Sequence, residues 1–265
     1  MLDAMDIDPY AKALSSAEKK VKQITYTPSR YLLQAVLAGA YLSIVCFVFW
    51  GLRQSFGADP AGKLISSLFF GVGLNIIIFT GAELFTSNNM YMTISTLARR
   101  TTVADTARLW TLCWLGNLAG SILVAAVLYG AGVIQAMPSD HALFAGAHHK
   151  MESSSAEIFF KGILANWIVC LAVWVNLNLK EEIARLTAVI LVVFIFLYLG
   201  FEHSIANMGT FAVALFADPN LPLAPIAHNL FWATFGNIIG GGVGLGLTAW
   251  LMNKDTATAS SAEHR

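Results

Sequence analysis

Two short stretches set polar and ionisable side chains in the middle of long apolar runs. The first reads Gly81-Ala82-Glu83-Leu84-Phe85-Thr86-Ser87-Asn88, the second Gly200-Phe201-Glu202-His203-Ser204-Ile205-Ala206-Asn207. If these runs cross a membrane, each carboxylate is costly at that depth and usually functional. A structural role suits Glu83 and Glu202 better than substrate contact. Their oxygens could accept from N–H groups freed where a helix breaks, and a negative charge would repel an anion. His203 stands alone, because Leu84 takes its place in the first stretch. Histidine changes charge near neutral pH. His203 can therefore donate a hydrogen bond or exchange a proton, with Asn207 one turn on, as well as serve as a satisfied core residue. Thr86, Ser87 and Ser204 stand where a helix would restart, and hydroxyls cap such starts. For Ser87 and Ser204 capping alone suffices; Thr86 is also a candidate for ligand contact.

Further candidates lie outside these stretches. Asn117 and Asn237 can bridge spans by hydrogen bonds, and Asn237 is also a candidate for lining a path. Lys150 and Lys161 lie on one side of the expected membrane, and such a positive vestibule would concentrate anions. Lys161, at the start of a span, could equally snorkel to the interface. His141, His148 and His149 read as solvated loop residues without zinc-site spacing. Cys46, Cys113 and Cys170 form no CxxC pair and read as buried packing. No metal set or cofactor motif is present, and the glycine run from Gly236 to Gly246 lacks the ending of a phosphate loop.

The elements that must position these residues are membrane spans. Apolar residues make up 57% of the chain and charged ones 12%, about half the usual charged share of a soluble protein. Sixteen basic and sixteen acidic side chains cancel, which gives no hint of a nucleic-acid partner. Runs at 31–52, 109–130, 156–178 and 226–252 are long enough to span. Runs at 64–98 and 186–216 are interrupted, and each is expected to form two half-helices that meet inside the membrane. The piece 64–79 would be only about 24 Å long as a helix. An arm at 1–30, a channel domain at 31–252 and a tail at 253–265 follow. The arm could form a short amphipathic helix and has no apolar core with a cleavage site, so no signal peptide is expected. Trp50, Trp110 and Trp250 fit the interfacial belt. Twelve Lys and Arg residues fall on the side of the termini, including Lys12, Lys20, Arg99 and Arg265. Four fall opposite: Arg53, Lys63, Lys150 and Lys161. Both termini should be cytoplasmic.

The two halves are self-similar. Gly81, Glu83 and Asn88 recur 119 residues later as Gly200, Glu202 and Asn207. Gly116, Asn117 and Gly120 recur 120 residues later as Gly236, Asn237 and Gly240. A nearly shared register marks a repeat. Three spans per repeat make the copies inverted, with interrupted helices meeting near the midplane. Half-helices that start there present N–H groups and a positive dipole end, which suits an anion.

Five segments carry a resemblance to a known family: GAELFTSN (81–88), WLGNLAGS (114–121), FFKGILANWIVCLAVW (159–174), GFEHSIANM (200–208) and HNLFWATFGNIIGGG (228–242). Together they resemble the formate/nitrite transporter family over about residues 25–253, most closely its nitrite-channel branch. The resemblance implies an all-α, aquaporin-like membrane fold of six helices in two inverted three-helix repeats, the second and fifth broken, without an NPA motif. It implies a homopentamer in the bilayer of an inner membrane, with one path per protomer for nitrite or formate. The family's central His falls on His203, its partner Asn on Asn207 and its break Thr on Thr86. The Asn of the last span falls on Asn237, and the vestibule Lys on Lys150. Its hydrophobic constrictions fall on Phe70, Leu74, Leu84, Phe85 and Phe196.

The expected mechanism is attraction of an anion by Lys150 and the half-helix ends, followed by a hydrogen bond or proton from His203 between apolar constrictions, which a bare anion would not cross. A channel for neutral solutes such as water or glycerol is the alternative. An enzyme using His203 and Glu202 would lack a nucleophile or metal set.

Overall fold

The computed structural model describes residues 8–254, and every regular element in that range is a helix. Residues 1–7 and 255–265, with Arg265 and most of the expected tail, lie outside the described residues.

Helix α1 (Pro9–Tyr26) begins where Asp8 accepts from the Tyr10 N–H at 3.2 Å. It buries Tyr10, Ala13, Ala17 and Ile24, one stripe at helical spacing. The amphipathic helix expected in the arm is therefore present. Pro28 opens α2 (Pro28–Phe56). Helix α3 (Pro60–Thr80) starts earlier than hydropathy suggests, because Asp59 caps the Ala61 N–H at 2.9 Å and Pro60 fits the first turn. With 21 residues it is long enough to cross a membrane unaided, and is not the short half-helix expected.

Helix α3 ends at Gly81 with φ +69°, a left-handed position that favours glycine. After four residues α4 (Phe85–Leu97) takes over. A capping box of Thr102 and Asp105 starts α5 (Val103–Gly130). The short α6 (Ala142–Glu152) precedes α7 (Ser155–Asn178). Helix α8 (Glu182–Tyr198) ends before Gly200, whose φ of +71° repeats the Gly81 stop, and α9 (Ser204–Ala217) follows. Helix α10 (Leu223–Ile238) widens into a π-helical stretch, Ile239–Leu247, within one helical run to Lys254.

Among the described residues, five helices are long and apolar enough to cross a membrane: α2, α3, α5, α7 and the run from α10; α9 is apolar but shorter. Large apolar side chains such as Phe69, Leu123, Val127, Phe160 and Phe231 are exposed around the outside, which suits a hydrocarbon surface. The core forms between α2 with α5 and α7 with α10: α3 packs on α8, α4 on the π-helical stretch and α9 on α5 and α2. Those flanking pairs pack backbone to backbone. A Cβ on Gly120 would lie 2.0 Å from the Val36 carbonyl oxygen, and one on Gly240 2.1 Å from that of Ile163.

Gly120→Ala and Gly240→Ala should each cost about 1–3 kcal/mol by overpacking, read as a lowered thermal unfolding midpoint in detergent. Gly51→Ala, with nothing within 4 Å of the added Cβ, should leave the midpoint unchanged or raise it.

Candidate functional site

Breaking a helix frees backbone N–H and C=O groups, and in an apolar interior each unpaired group costs several kcal/mol. One asparagine answers this at each break. Asn117 Oδ1 accepts the Phe85 N–H at 2.9 Å, and its Nδ2 donates to the carbonyls of Glu83 (2.9 Å) and Ala35 (2.7 Å). Asn237 Oδ1 accepts the Ser204 N–H at 2.8 Å, and its Nδ2 donates to the carbonyls of Glu202 (2.9 Å) and Gly162 (2.8 Å). The amide side chain suits this task because it carries both an acceptor and two donors. Asn237 is fully buried and makes all three of these bonds. The Glu83 N–H donates to the Gln34 carbonyl at 3.0 Å, and the Glu202 N–H to that of Lys161 at 3.4 Å.

The hydroxyls play another part than the one expected. Neither Ser87 nor Ser204 caps a helix start: Ser87 Oγ donates to the Leu84 carbonyl at 3.0 Å, and Ser204 Oγ is buried without a partner. Asparagines do the capping because they reach the first N–H from a neighbouring helix. The carboxylates do not accept from the break backbone either. Glu83 pairs with Lys20 at 2.5 Å and accepts from Asn88 Nδ2 at 3.0 Å. Glu202 pairs with Lys150 at 2.8 Å and accepts from Asn207 Nδ2 at 2.5 Å. Asn229 closes the second set, accepting from Asn207 at 2.8 Å and donating to the Lys150 carbonyl at 3.0 Å. Each buried negative charge is thus matched by an ammonium brought in on a short flanking helix, α1 or α6.

Sequence reasoning passed over Asn166 and Asn229, and used Lys20 only for orientation. A signal existed for Lys20: it continues the Ala13, Ala17, Ile24 stripe of α1, so it lies on the buried face. Asn166 donates to the carbonyls of Thr86 (3.1 Å) and Asn237 (2.6 Å), tying the two breaks together. Nothing local distinguishes it from other span residues. Two of the tryptophans also make specific hydrogen bonds. Trp50 bonds Thr210 at 3.0 Å beside the site, and Trp110 donates to the Asn88 carbonyl at 3.1 Å. His141 is buried and caps α6 through Nδ1, and burial moves its pKa below the ordinary histidine value.

His203 occupies the cap position of α9, where Leu84 stands for α4. Its Nδ1 accepts the Ala206 N–H at 3.2 Å, so the neutral ring is assigned its proton on Nε2, which lies 2.9 Å from Thr86 Oγ1. The ring stacks on Phe196 at 5.8 Å between centroids, and Phe196 meets Phe70 edge-on at 6.0 Å. His203, Phe70 and Phe196 line two cavities at once. One of about 340 Å³ opens on the α6 side and also meets Trp50, Lys150, Lys161, Glu202 and Asn207. The other, about 10 Å³, is walled by Leu42, Leu74, Ile77, Leu84, Val169 and Val193. Phe70, Leu74, Leu84 and Phe196 therefore come together around His203. Phe85 lies apart: it follows the cap, turns toward Trp110 at 6.5 Å, and lines a groove with Trp114 and Thr234. Lys161 reaches the larger cavity while paired to Glu157 at 2.6 Å.

An imidazole held at a helix break thus stands between a cavity of mixed lining and a small apolar one. Residues 8–251 match the family model described as "Formate/nitrite transporter". The chain belongs to the formate/nitrite transporter family. It is 34% identical over 250 residues to the nitrite transporter NirC of Escherichia coli (strain K12), covering 93% of this chain and 92% of NirC. A solved "FNT family ion channel" matches with TM-score 0.87 at 32% identity, over 92% of this chain and 98% of that one. A "Pentameric formate channel with formate bound" matches with TM-score 0.71 at 27% identity, over 84% and 96%.

Two measurements check the bracing. Asn117→Leu and Asn237→Leu should each lose about 1–3 kcal/mol per polar group left unpaired, seen as a lower unfolding midpoint. Lys150→Met strands a buried carboxylate and should cost about 3–5 kcal/mol. Combining it with Glu202→Gln should restore most of that loss in the same assay.

Proposed function

We propose that this chain conducts small monovalent anions, nitrite or formate, through a path in each protomer of a homopentamer. The observation that carries the reading is His203 at the neck, with Nε2 on Thr86 and one cavity on either side. The nitrite transporter and the pentameric formate channel it resembles supply the cargo and the assembly. We read the architecture as six spans in two inverted repeats: α2, α3–α4 and α5, then α7, α8–α9 and α10. The matched bonds of Asn117 and Asn237 support that pairing. Both termini are placed in the cytoplasm by the Lys and Arg distribution, and the protein in the inner membrane, with an arm at 1–30, a channel domain at 31–252 and a tail at 253–265.

The path works as follows. Lys150 and Lys161 draw an anion into the larger cavity. Lys150 is already offset by Glu202, so the local field is modest and the anion is not trapped. A bare charge entering the apolar chamber meets a large desolvation cost. The anion accepts a hydrogen bond from His203 Nε2–H at the neck, in competition with Thr86. When the ring has first taken up a second proton from the cavity, it passes one to an anion oxygen and returns to neutral. One proton then crosses with each anion, as the neutral acid. Leu42, Leu74 and Leu84 wall the chamber beyond, a lining that suits a neutral species. No nucleophile or metal chemistry is needed.

The test is uptake of nitrite, formate and glycerol into proteoliposomes at two external pH values, for wild type and His203→Phe. Saturable anion uptake should rise as external pH falls, and the variant should lose that pH dependence. An unchanged pH response in His203→Phe would remove the proton step and leave a plain anion channel. Glycerol uptake without anion uptake would mean a neutral-solute channel.

A further inference from the structure

Another cavity, of about 470 Å³ and lined mainly by charged residues, lies between α1 and the corner joining α4 to α5. It is separate from the neck and its lining includes none of the residues there. Glu18, Val21 and Lys22 of α1 form one wall; Arg99, Arg100, Thr101 and Asp105 form the other. The acidic groups are already committed. Glu18 pairs with Arg100 Nε at 2.7 Å, and Asp105 accepts from the Thr102 N–H at 2.9 Å and hydroxyl at 2.7 Å. Among the described residues, Lys22 and Arg99 have no ion pair. The uncommitted charges that face this cavity are therefore both positive. The other nearby guanidinium, Arg100, keeps donors beyond the one given to Glu18.

Arg99 is held there against local preference. It follows the C-cap of α4 with φ +58°, and it is the one non-glycine residue with positive φ among the described residues. Glycine or asparagine normally fills that position. Apolar side chains lie on either side in sequence: Leu97 is 36% exposed and Val103 73%. Uncommitted cations beside exposed apolar groups, at the ends of two apolar helices, match the junction between a headgroup and its acyl chains.

We propose that this cavity binds a phosphoryl group, chiefly that of an anionic lipid, between Lys22 and Arg99. The bound group bridges α1 to the α4–α5 corner and holds α1 in its docked position.

The full chain in detergent supplies the test. Its thermal unfolding midpoint is followed with short-chain phosphatidylglycerol, short-chain phosphatidylcholine or inorganic phosphate, for wild type and the double variant Lys22→Gln/Arg99→Gly. Glycine is compatible with positive φ, so the variant should fold, and its midpoint without additive verifies that. Phosphatidylglycerol should raise the wild-type midpoint in a saturable way, while phosphatidylcholine should not. The variant should need at least about tenfold more phosphatidylglycerol for the same rise, as expected when two charge-assisted contacts are lost. A rise with inorganic phosphate of the same size and the same loss in the variant would keep the phosphoryl site and assign it to a soluble ion. Equal rises in wild type and variant, equal effects of the two lipids, or no rise with any additive would overturn the proposal.

Discussion

Unwinding a helix inside an apolar interior leaves peptide groups that must find partners within the protein, and everything at the centre of this molecule follows from how that is met. Asn117 and Asn237 each cap one restarted helix and hold the carbonyl two residues before it. Because each amide also bonds a neighbouring helix, at Ala35 or Gly162, the breaks are fixed to the bundle and cannot slide along their own axes. The Gly81 and Gly200 turns end the first segments, and the asparagines position the second. His203 can sit at a cap with its ring aimed at Thr86 only because the backbone beneath it is held on both sides.

The same constraint governs charge. Glu83 and Glu202 lie deep in the protein at 6% and 4% exposure, and an unpaired carboxylate there would be unstable. Short helices outside the main bundle deliver Lys20 and Lys150 to them. Asn88 and Asn207 use remaining acceptor positions. The outcome is two neutral clusters, one beside each break, and an apolar neck between them in which histidine is the distinctive polar group.

Hydropathy, glycine positions and the shared register of the halves made the helices and both breaks legible from the sequence. These properties are local: apolar length sets where a helix can cross, and a left-handed stop demands glycine. The family resemblance brought His203, Thr86, Phe70, Leu74, Leu84 and Phe196 into one candidate set, and the fold gathers them in one place. Local signals also misled. Serines next to a break looked like its caps, and the start of α3 was placed late because Asp59 and Pro60 extend the helix beyond its apolar stretch.

The sequence by itself determined that this is a helical membrane protein with two helix breaks and a lone histidine at one of them. Those features depend on composition and on residues within a turn or two of each other. Only the tertiary structure decided that Lys20 belongs to Glu83 across 63 residues, that Lys150 is neutralised by Glu202 across 52, that Asn237 braces the break, and that Phe85 turns away toward Trp110. Such pairings depend on the rotation of each helix about its own axis and on which neighbour it meets. Packing of the whole bundle fixes both.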